Sequence, residues 1–225
     1  MEWTNLVSAA AGRLKGCDIL DRLIAAGKIE PMIVVVVEYY LRGKPAAVAV
    51  QYERDLRERV LPFLAQNYCT YASVDENGAL IPSPEHCGYI GFSFGAMIGW
   101  QMLPECTDVF GYWSLISGAY SNEEEILKKL MSLGPEDDPI LYLYAGDGML
   151  TEGRQAYENR IERLSLYSQC LETDVNLCFL AIERVAHSFS AWDAGLYNSL
   201  QVFFHSHYDP ERLPPAEPLP SPFPG

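Results

Sequence analysis

The chain has 225 residues, of which 49% are hydrophobic and 12% aromatic. This composition excludes a disordered chain, and the length suits one hydrophobic core better than two independent catalytic domains. Thirty acidic against sixteen basic residues give a net charge of −14 at pH 7. That charge is the opposite of what nucleic acids and anionic membrane surfaces attract, so we expect neither as a partner.

Five apolar runs along the chain are short and rich in β-branched or aromatic residues, as strands buried on both faces are. They cover residues 32–38, Gly88–Phe92, 109–117, 140–145 and 176–182. None approaches the ~20 apolar residues of a membrane-spanning helix. The runs therefore predict the strands of a mostly parallel sheet.

Apolar stripes with helical spacing occupy most of the intervals between these runs. They lie at residues 19–24, 56–64, 126–130, 157–171 and 192–203. Pro62 falls inside the second stripe and is expected to kink or shorten that helix. Because strand and helix alternate, we predict an α/β fold with helices on both faces of the sheet.

The two ends of the chain differ from this pattern. The first residues, from Met1, contain no basic region followed by a long apolar one, so we expect no secretory signal on this chain. Seven of the fifteen prolines fall in residues 209–225, which predicts an extended tail or linker after a domain spanning residues 1–208.

A G-x-S-x-G motif carries the main chemical signal. Gly91-Phe92-Ser93-Phe94-Gly95 lies at the end of a predicted strand and directly before a predicted helix. This is the setting of a nucleophile elbow, in which small residues on either side let the strand and the helix approach each other. Ser93 is therefore the candidate nucleophile.

A serine nucleophile needs a base and an orienting acid, which in hydrolases follow it in the order acid, then histidine. His187 lies between the last predicted strand and the last predicted helix, where open α/β sheets place their sites. Asp147 follows the preceding strand and is our candidate acid. Alternative acids are Glu152, Asp174 and Asp193.

These roles predict acyl transfer through an acyl-enzyme. Ser93 Oγ attacks an ester carbonyl, His187 takes and returns the proton, and Asp147 holds the imidazole. The backbone N–H of Phe94 is a candidate oxyanion donor. Further aromatic side chains are candidates for lining the substrate pocket, although each also suits the core: Phe92, Trp113, Tyr120 and Trp192.

Nothing in the sequence indicates a metal or other cofactor. The six cysteines form no CxxC pair and have no histidine at metal-ligand spacing. We therefore expect no metal site and no cofactor.

The sequence resembles the carbohydrate-esterase branch of the α/β-hydrolases, which contains feruloyl and acetyl-xylan esterases and has esterase D-like and enterochelin-esterase relatives. The residues that carry the resemblance are 23–35, 52–68, 88–95, 187–192 and 195–200. The resemblance implies hydrolysis of feruloyl or acetyl esters of plant cell-wall polysaccharide. It also implies an extracellular location and a chain that is one domain of a larger modular enzyme.

One departure from the family favours an alternative function. Family members have N-terminal strands and a His-Gly loop that donates the second oxyanion N–H, whereas no His is followed by Gly in this chain. The fold is therefore expected to be N-terminally abbreviated, with an open sheet edge that a homodimer could cover. The alternatives are a weakly active or inactive pseudo-esterase that binds carbohydrate, and an esterase D-like or siderophore esterase.

Overall fold

The computed structural model describes residues 15–37, 44–134, 140 and 142–204. The helices are α1 (Gly16–Ala25), α2 (Pro45–Asp55), α3 (Leu61–Asn67), α4 (Phe94–Met102), α5 (Glu123–Ser132), α6 (Arg154–Leu164) and α7 (Phe189–Leu200). The strands are β1 (Ser73–Val74), β2 (Leu80–Ile81), β3 (Gly88–Phe92), β4 (Tyr112–Ile116), β5 (Tyr142–Gly148) and β6 (Leu177–Ile182).

Four strands form a parallel sheet in the order β3-β4-β5-β6. Every residue of β4 and β5 is buried, as expected of central parallel strands covered on both faces. Strands β1 and β2 form a separate antiparallel hairpin. The sheet confirms the prediction of a mostly parallel α/β fold.

Helices cover both faces of the sheet. Alternate residues of a strand point to opposite faces, so Leu115 packs into one cluster with α2, α4, α5 and α6. Its neighbour Ile116 packs into the other cluster, which includes Ala191 of α7. Helix α1 packs against α7 on this second face through Leu20 and Leu200. The prediction of helices on both faces is confirmed.

The strand predicted at residues 32–38 is wrong for residues 32–37, which form no strand, while residue 38 lies outside the described part of the chain. Met32 and Val34 nevertheless pack in the same cluster as Ile90 and Phe92 of β3. Other apolar side chains of the segment are 41–49% exposed, namely Ile33, Val35 and Val36. The segment has strand composition, but it forms no β-ladder with any of the described residues, and composition alone does not make a strand.

The helix containing Pro62 is distorted, as predicted. A π-helical turn, Leu56–Val60, joins α2 to α3 just before this proline. Proline has no N–H and cannot bond to the carbonyl of Glu58 four residues earlier, so the regular hydrogen-bond ladder is interrupted here.

The described part of the chain contains no helix long and apolar enough to cross a membrane. The predicted tail at residues 209–225 and the domain boundary at residue 208 lie outside the described residues.

Candidate active site

Ser93 forms a tight turn between β3 and α4. Its backbone angles are φ 52° and ψ −116°, which a residue with a side chain rarely adopts. A Cβ on Gly91 would lie 2.5 Å from the backbone carbon and oxygen of Gly95. The Tyr89 hydroxyl donates a hydrogen bond to Gly95 O at 2.8 Å. The turn has the strained strand-to-helix geometry of a nucleophile elbow.

His187 lies in the loop between β6 and α7, beside the elbow. The distance between Ser93 Oγ and His187 Nε2 is 2.9 Å, a hydrogen bond between residues 94 positions apart. The imidazole is perpendicular to the Trp192 ring, with centroids 5.5 Å apart. The structure thus brings the predicted nucleophile and base together at the carboxyl ends of the parallel strands.

Asp147, the predicted acid, is the second-last residue of β5 and is 5% exposed. Its Oδ1 accepts hydrogen bonds from Ser117 Oγ at 2.7 Å, from Gly148 N at 2.7 Å and from Thr151 Oγ1 at 3.0 Å. The hydrogen bonds of the described residues do not join Asp147 to His187. Three donors on one carboxyl oxygen hold the side chain in place and leave Oδ2 as its other acceptor.

The loop after Asp147 is bonded to the loop that carries His187. Met149 N–H donates to Ile182 O at 2.8 Å and Leu150 N–H donates to Val185 O at 2.9 Å. A Cβ on Gly148 would lie 2.5 Å from Val185 O, so the two backbones are in direct contact. Backbone bonds therefore fix the segment after Asp147 to the segment before His187.

Tyr157 of α6 lies near Asp147 on the side of the core. Burial raises the pKa of the Tyr157 hydroxyl, and the negative charge of Asp147 raises it further. The hydroxyl donates to Leu115 O at 3.0 Å and accepts from Trp100 Nε1 at 3.0 Å. The Tyr157 hydroxyl is therefore neutral, and it both donates and accepts a hydrogen bond.

The alternative acids have other surroundings. Asp193 Oδ1 accepts the Lys15 N–H at 2.7 Å, which ties α7 to the start of α1, and burial raises the pKa of its carboxyl. Glu152 and Asp174 are exposed. Asp174 also precedes β6, at the opposite end of the sheet from the elbow.

The predicted pocket aromatics fall into two groups. Trp113 is fully buried, and its Nε1 donates to Phe110 O at 2.8 Å. Tyr120 is 3% exposed, and its hydroxyl donates to Arg160 O. Trp113 and Tyr120 are therefore core residues, which was the alternative to a place in the substrate pocket.

Phe92 and Trp192 lie beside the Ser93–His187 pair. Their rings stack with centroids 6.1 Å apart and planes 27° apart, and Phe189 packs edge-on against Trp192 at 4.7 Å. Phe94 follows Ser93 at the first position of α4. Phe92 and Phe94 flank Ser93 in the chain, and Trp192 contacts the imidazole of His187.

Among the described residues, no group of three or more His, Cys, Asp or Glu side chains is arranged to hold a metal ion. Burial raises the pKa of the Cys87 and Cys178 thiols to about 12. At neutral pH these two thiols are protonated and are poor nucleophiles or metal ligands.

Comparisons with known proteins agree with this geometry. No family model matches the chain. It is 32% identical over 201 residues to endo-1,4-beta-xylanase Y of Acetivibrio thermocellus and 27% identical over 191 residues to an endo-1,4-beta-xylanase/feruloyl esterase of Xylanibacter ruminicola. These matches cover 84% and 83% of this chain.

Solved structures show the same architecture. A serine-to-alanine mutant of the feruloyl esterase module from Clostridium thermocellum, complexed with sinapinate, has 23% identity and a TM-score of 0.65, over 85% of this chain and 70% of that chain. A CE1 ferulic acid esterase from Anaeromyces mucronatus has 15% identity and a TM-score of 0.55, over 81% and 68%. The chain has the α/β-hydrolase fold of the feruloyl esterases.

The chain is much shorter than its curated relatives. It spans 18% of the xylanase Y sequence and 23% of the xylanase/feruloyl esterase sequence. The matching region is therefore one part of each of those proteins.

The sequence prediction missed two residues of this candidate site, Ser117 and Thr151. Both donate to Asp147 Oδ1. Thr151 lies four residues after an aspartate, which is a detectable local pattern. Ser117 has no local signal, because its partner lies 30 residues away on the neighbouring strand.

Proposed function

We propose that this chain is a serine carboxylesterase that hydrolyses hydroxycinnamoyl, chiefly feruloyl, or acetyl esters of plant cell-wall polysaccharide. The observation that carries the proposal is the 2.9 Å hydrogen bond between Ser93 Oγ and His187 Nε2 at a strained elbow. The names of the relatives support the substrate class, and a solved neighbour of the same fold is complexed with sinapinate.

The proposed chemistry has two halves. His187 Nε2 removes the hydroxyl proton as Ser93 Oγ bonds to the ester carbonyl carbon, and the carbonyl π electrons move to oxygen. When the carbonyl re-forms, the C–O bond to the alcohol breaks and His187 returns the proton to that alcohol. Water, deprotonated by His187, then attacks the acyl-enzyme and releases the carboxylic acid and free Ser93.

Asp147 is the proposed acid of this site. Its ionised carboxylate would stabilise the imidazolium that forms on His187 and select the ring tautomer that accepts at Nε2. Support comes from the backbone bonds between the loops of these residues, Met149 N–Ile182 O and Leu150 N–Val185 O. The proposed contact is made through Oδ2, since Oδ1 already accepts three donors.

The backbone N–H of Phe94 is the proposed oxyanion donor, because it follows the nucleophile at the start of α4. Each oxyanion donor is worth about 10²–10³ in kcat.

A weakly active pseudo-esterase is the second candidate function. The absence of an Asp147–His187 hydrogen bond among the described residues favours it.

The proposed acyl-binding surface consists of Phe92, Phe94 and Trp192. A hydroxycinnamoyl group is a flat aromatic ring, and offset or edge-on packing of such rings contributes about 0.5–1.5 kcal/mol beyond the area buried. The stacked pair of Phe92 and Trp192, with His187 at its edge, would place that ring beside the nucleophile.

A fluorophosphonate probe and two esters test the function. We expect the probe to label Ser93, because only an activated serine reacts, and we expect hydrolysis of methyl ferulate and p-nitrophenyl acetate. Peptide mapping locates the label, and a protein denatured before exposure is the control. An unlabelled serine with retained oligosaccharide binding would support the pseudo-esterase instead. Label on another serine would contradict both functions.

We also propose a modular context and a homodimer. The modular context rests on the two relatives, each far longer than this chain.

The homodimer would cover the outer edge of β3. Among the described strands, β3 pairs with β4 alone, and an uncovered strand edge can pair with a strand of another molecule. Light scattering should give twice the monomer mass. A monomer at every concentration used for kinetics would contradict the dimer.

A further inference from the structure

The turn that follows β4 lies between the elbow and the proposed acid. Its first residue, Ser117, is 5% exposed and has a φ of 59°. Ser117 Oγ donates to Asp147 Oδ1 at 2.7 Å, and Ser117 N–H donates to Gly146 O at 2.7 Å. Both bonds connect the end of β4 to the end of β5.

The same turn contacts the elbow from the other side. Ser93 N–H donates to Ile116 O at 2.9 Å. A Cβ on Gly118 would lie 2.4 Å from Ser93 O and 2.7 Å from Ala96 Cβ. Residues 116–118 are therefore in contact with the nucleophile on one side and bonded to the acid on the other.

The backbone conformation does not explain a serine at this position. Glycine adopts positive φ freely, whereas a residue with a Cβ is strained by about 1–2 kcal/mol. What serine adds is its hydroxyl, which donates to the carboxylate. The other two donors to Asp147, Gly148 and Thr151, follow it directly in the chain, so among the described residues only Ser117 bonds the carboxylate to the end of a neighbouring strand.

We propose that Ser117 is a positioning residue whose hydroxyl holds the Asp147 carboxylate in register with His187 for ester hydrolysis. The inference deepens the proposed function and rests on Asp147 being the acid. Ser117 does not touch the reacting atoms. Its effect passes through Asp147 to the tautomer of the His187 ring.

The test compares Ser117→Ala with Ser114→Ala. The control removes the same hydroxyl from the middle of β4, where Ser114 Oγ is buried and has no hydrogen-bond partner among the described residues. We expect Ser117→Ala to lower kcat for methyl ferulate about tenfold with KM nearly unchanged, as a slightly misplaced catalytic group does. Ser114→Ala should keep the wild-type kcat and be equally or more stable to urea, since it deletes an unsatisfied buried hydroxyl.

The ¹⁵N shifts of the His187 ring at pH 8 give a readout that needs no activity. The unmodified protein and Ser114→Ala should show the tautomer protonated at Nδ1, because the proposed mechanism needs Nε2 as the acceptor for the Ser93 hydroxyl. Asp147→Asn should show a mixture of tautomers and lose about 10³–10⁴ in kcat. The His187 ring shifts of Ser117→Ala should lie between those of the unmodified protein and those of Asp147→Asn.

Ser117→Gly separates the hydroxyl from the strain. It lacks the hydroxyl but relieves the positive φ, so it should fold at least as stably as Ser117→Ala and show the same kinetic and ring changes. Wild-type kcat and ring shifts in both variants would overturn the inference. Failure of the unmodified protein to hydrolyse esters would contradict the proposed function instead, and the ring shifts would still decide the role of Ser117.

Discussion

Ser93→Ala is expected to lower kcat for methyl ferulate by about 10⁴–10⁶-fold, as loss of the nucleophile does in serine hydrolases. The variant keeps the backbone and loses the hydroxyl and its hydrogen bond to His187. Because alanine meets the same positive φ as serine, the strain at the elbow is unchanged and the fold should be retained. Steady-state hydrolysis and urea unfolding measure the two properties separately.

Ser132→Ala is the matched control for this substitution. Ser132 is exposed at the end of α5, and its hydroxyl donates to Lys129 O. It should leave kcat within experimental error of the unmodified protein. Equal rates of ester hydrolysis in Ser93→Ala and the unmodified protein would refute the assignment of the nucleophile.

Gly91→Ala is expected to destabilise the protein by about 3 kcal/mol or more and to abolish activity with it. The new Cβ would lie 2.5 Å from the backbone carbon and oxygen of Gly95 and 2.7 Å from Ala96 N. Backbone atoms cannot rotate out of the way as the end of a side chain can. Relief of the clash requires α4 to move away from β3, which displaces Ser93 from His187.

Gly153→Ala separates this clash from the general cost of replacing glycine. Gly153 has a φ of 80°, and a Cβ there would meet nothing within 4 Å. It should cost only about 1–2 kcal/mol of backbone strain and leave kcat unchanged. Similar urea midpoints for the two variants would show that the elbow tolerates a larger residue and that the packing argument fails.

Much of the fold followed from local patterns. Parallel strands buried on both faces have a recognisable composition, and the run predicted at 176–182 corresponds closely to β6 (Leu177–Ile182). The run predicted at 109–117 extends beyond β4 (Tyr112–Ile116) at both ends, because apolar composition continues into the turns around a buried strand. Residues 32–37 were predicted as a strand and form none. A strand needs a neighbouring strand to pair with, and the composition of a segment does not show whether it has one.

The site was partly predictable for a similar reason. The elbow is a local steric requirement, so Ser93 could be identified from five consecutive residues, and the order of residues in hydrolases singled out His187 for contact across 94 positions. The bond from Ser117 to Asp147 joins residues 30 positions apart on neighbouring strands, which no local pattern indicates.

Aromatic residues were the least predictable feature. Trp113 and Trp192 both lie near strand or helix ends in the sequence, but Trp113 is fully buried while Trp192 stacks on Phe92 beside the base. Burial and ligand contact select the same residue types, so sequence alone does not separate core aromatics from pocket aromatics.

The two loops that carry Asp147 and His187 are joined through main-chain atoms. Met149 and Leu150 contribute their N–H groups to this junction, while their side chains are 43% and 68% exposed. Substitutions that retain the backbone N–H can therefore change these side chains without breaking the bonds between the loops. The surface formed by Met149 and Leu150 beside His187 is thus open to evolutionary change in size and polarity, while the spacing of Asp147 and His187 stays constant.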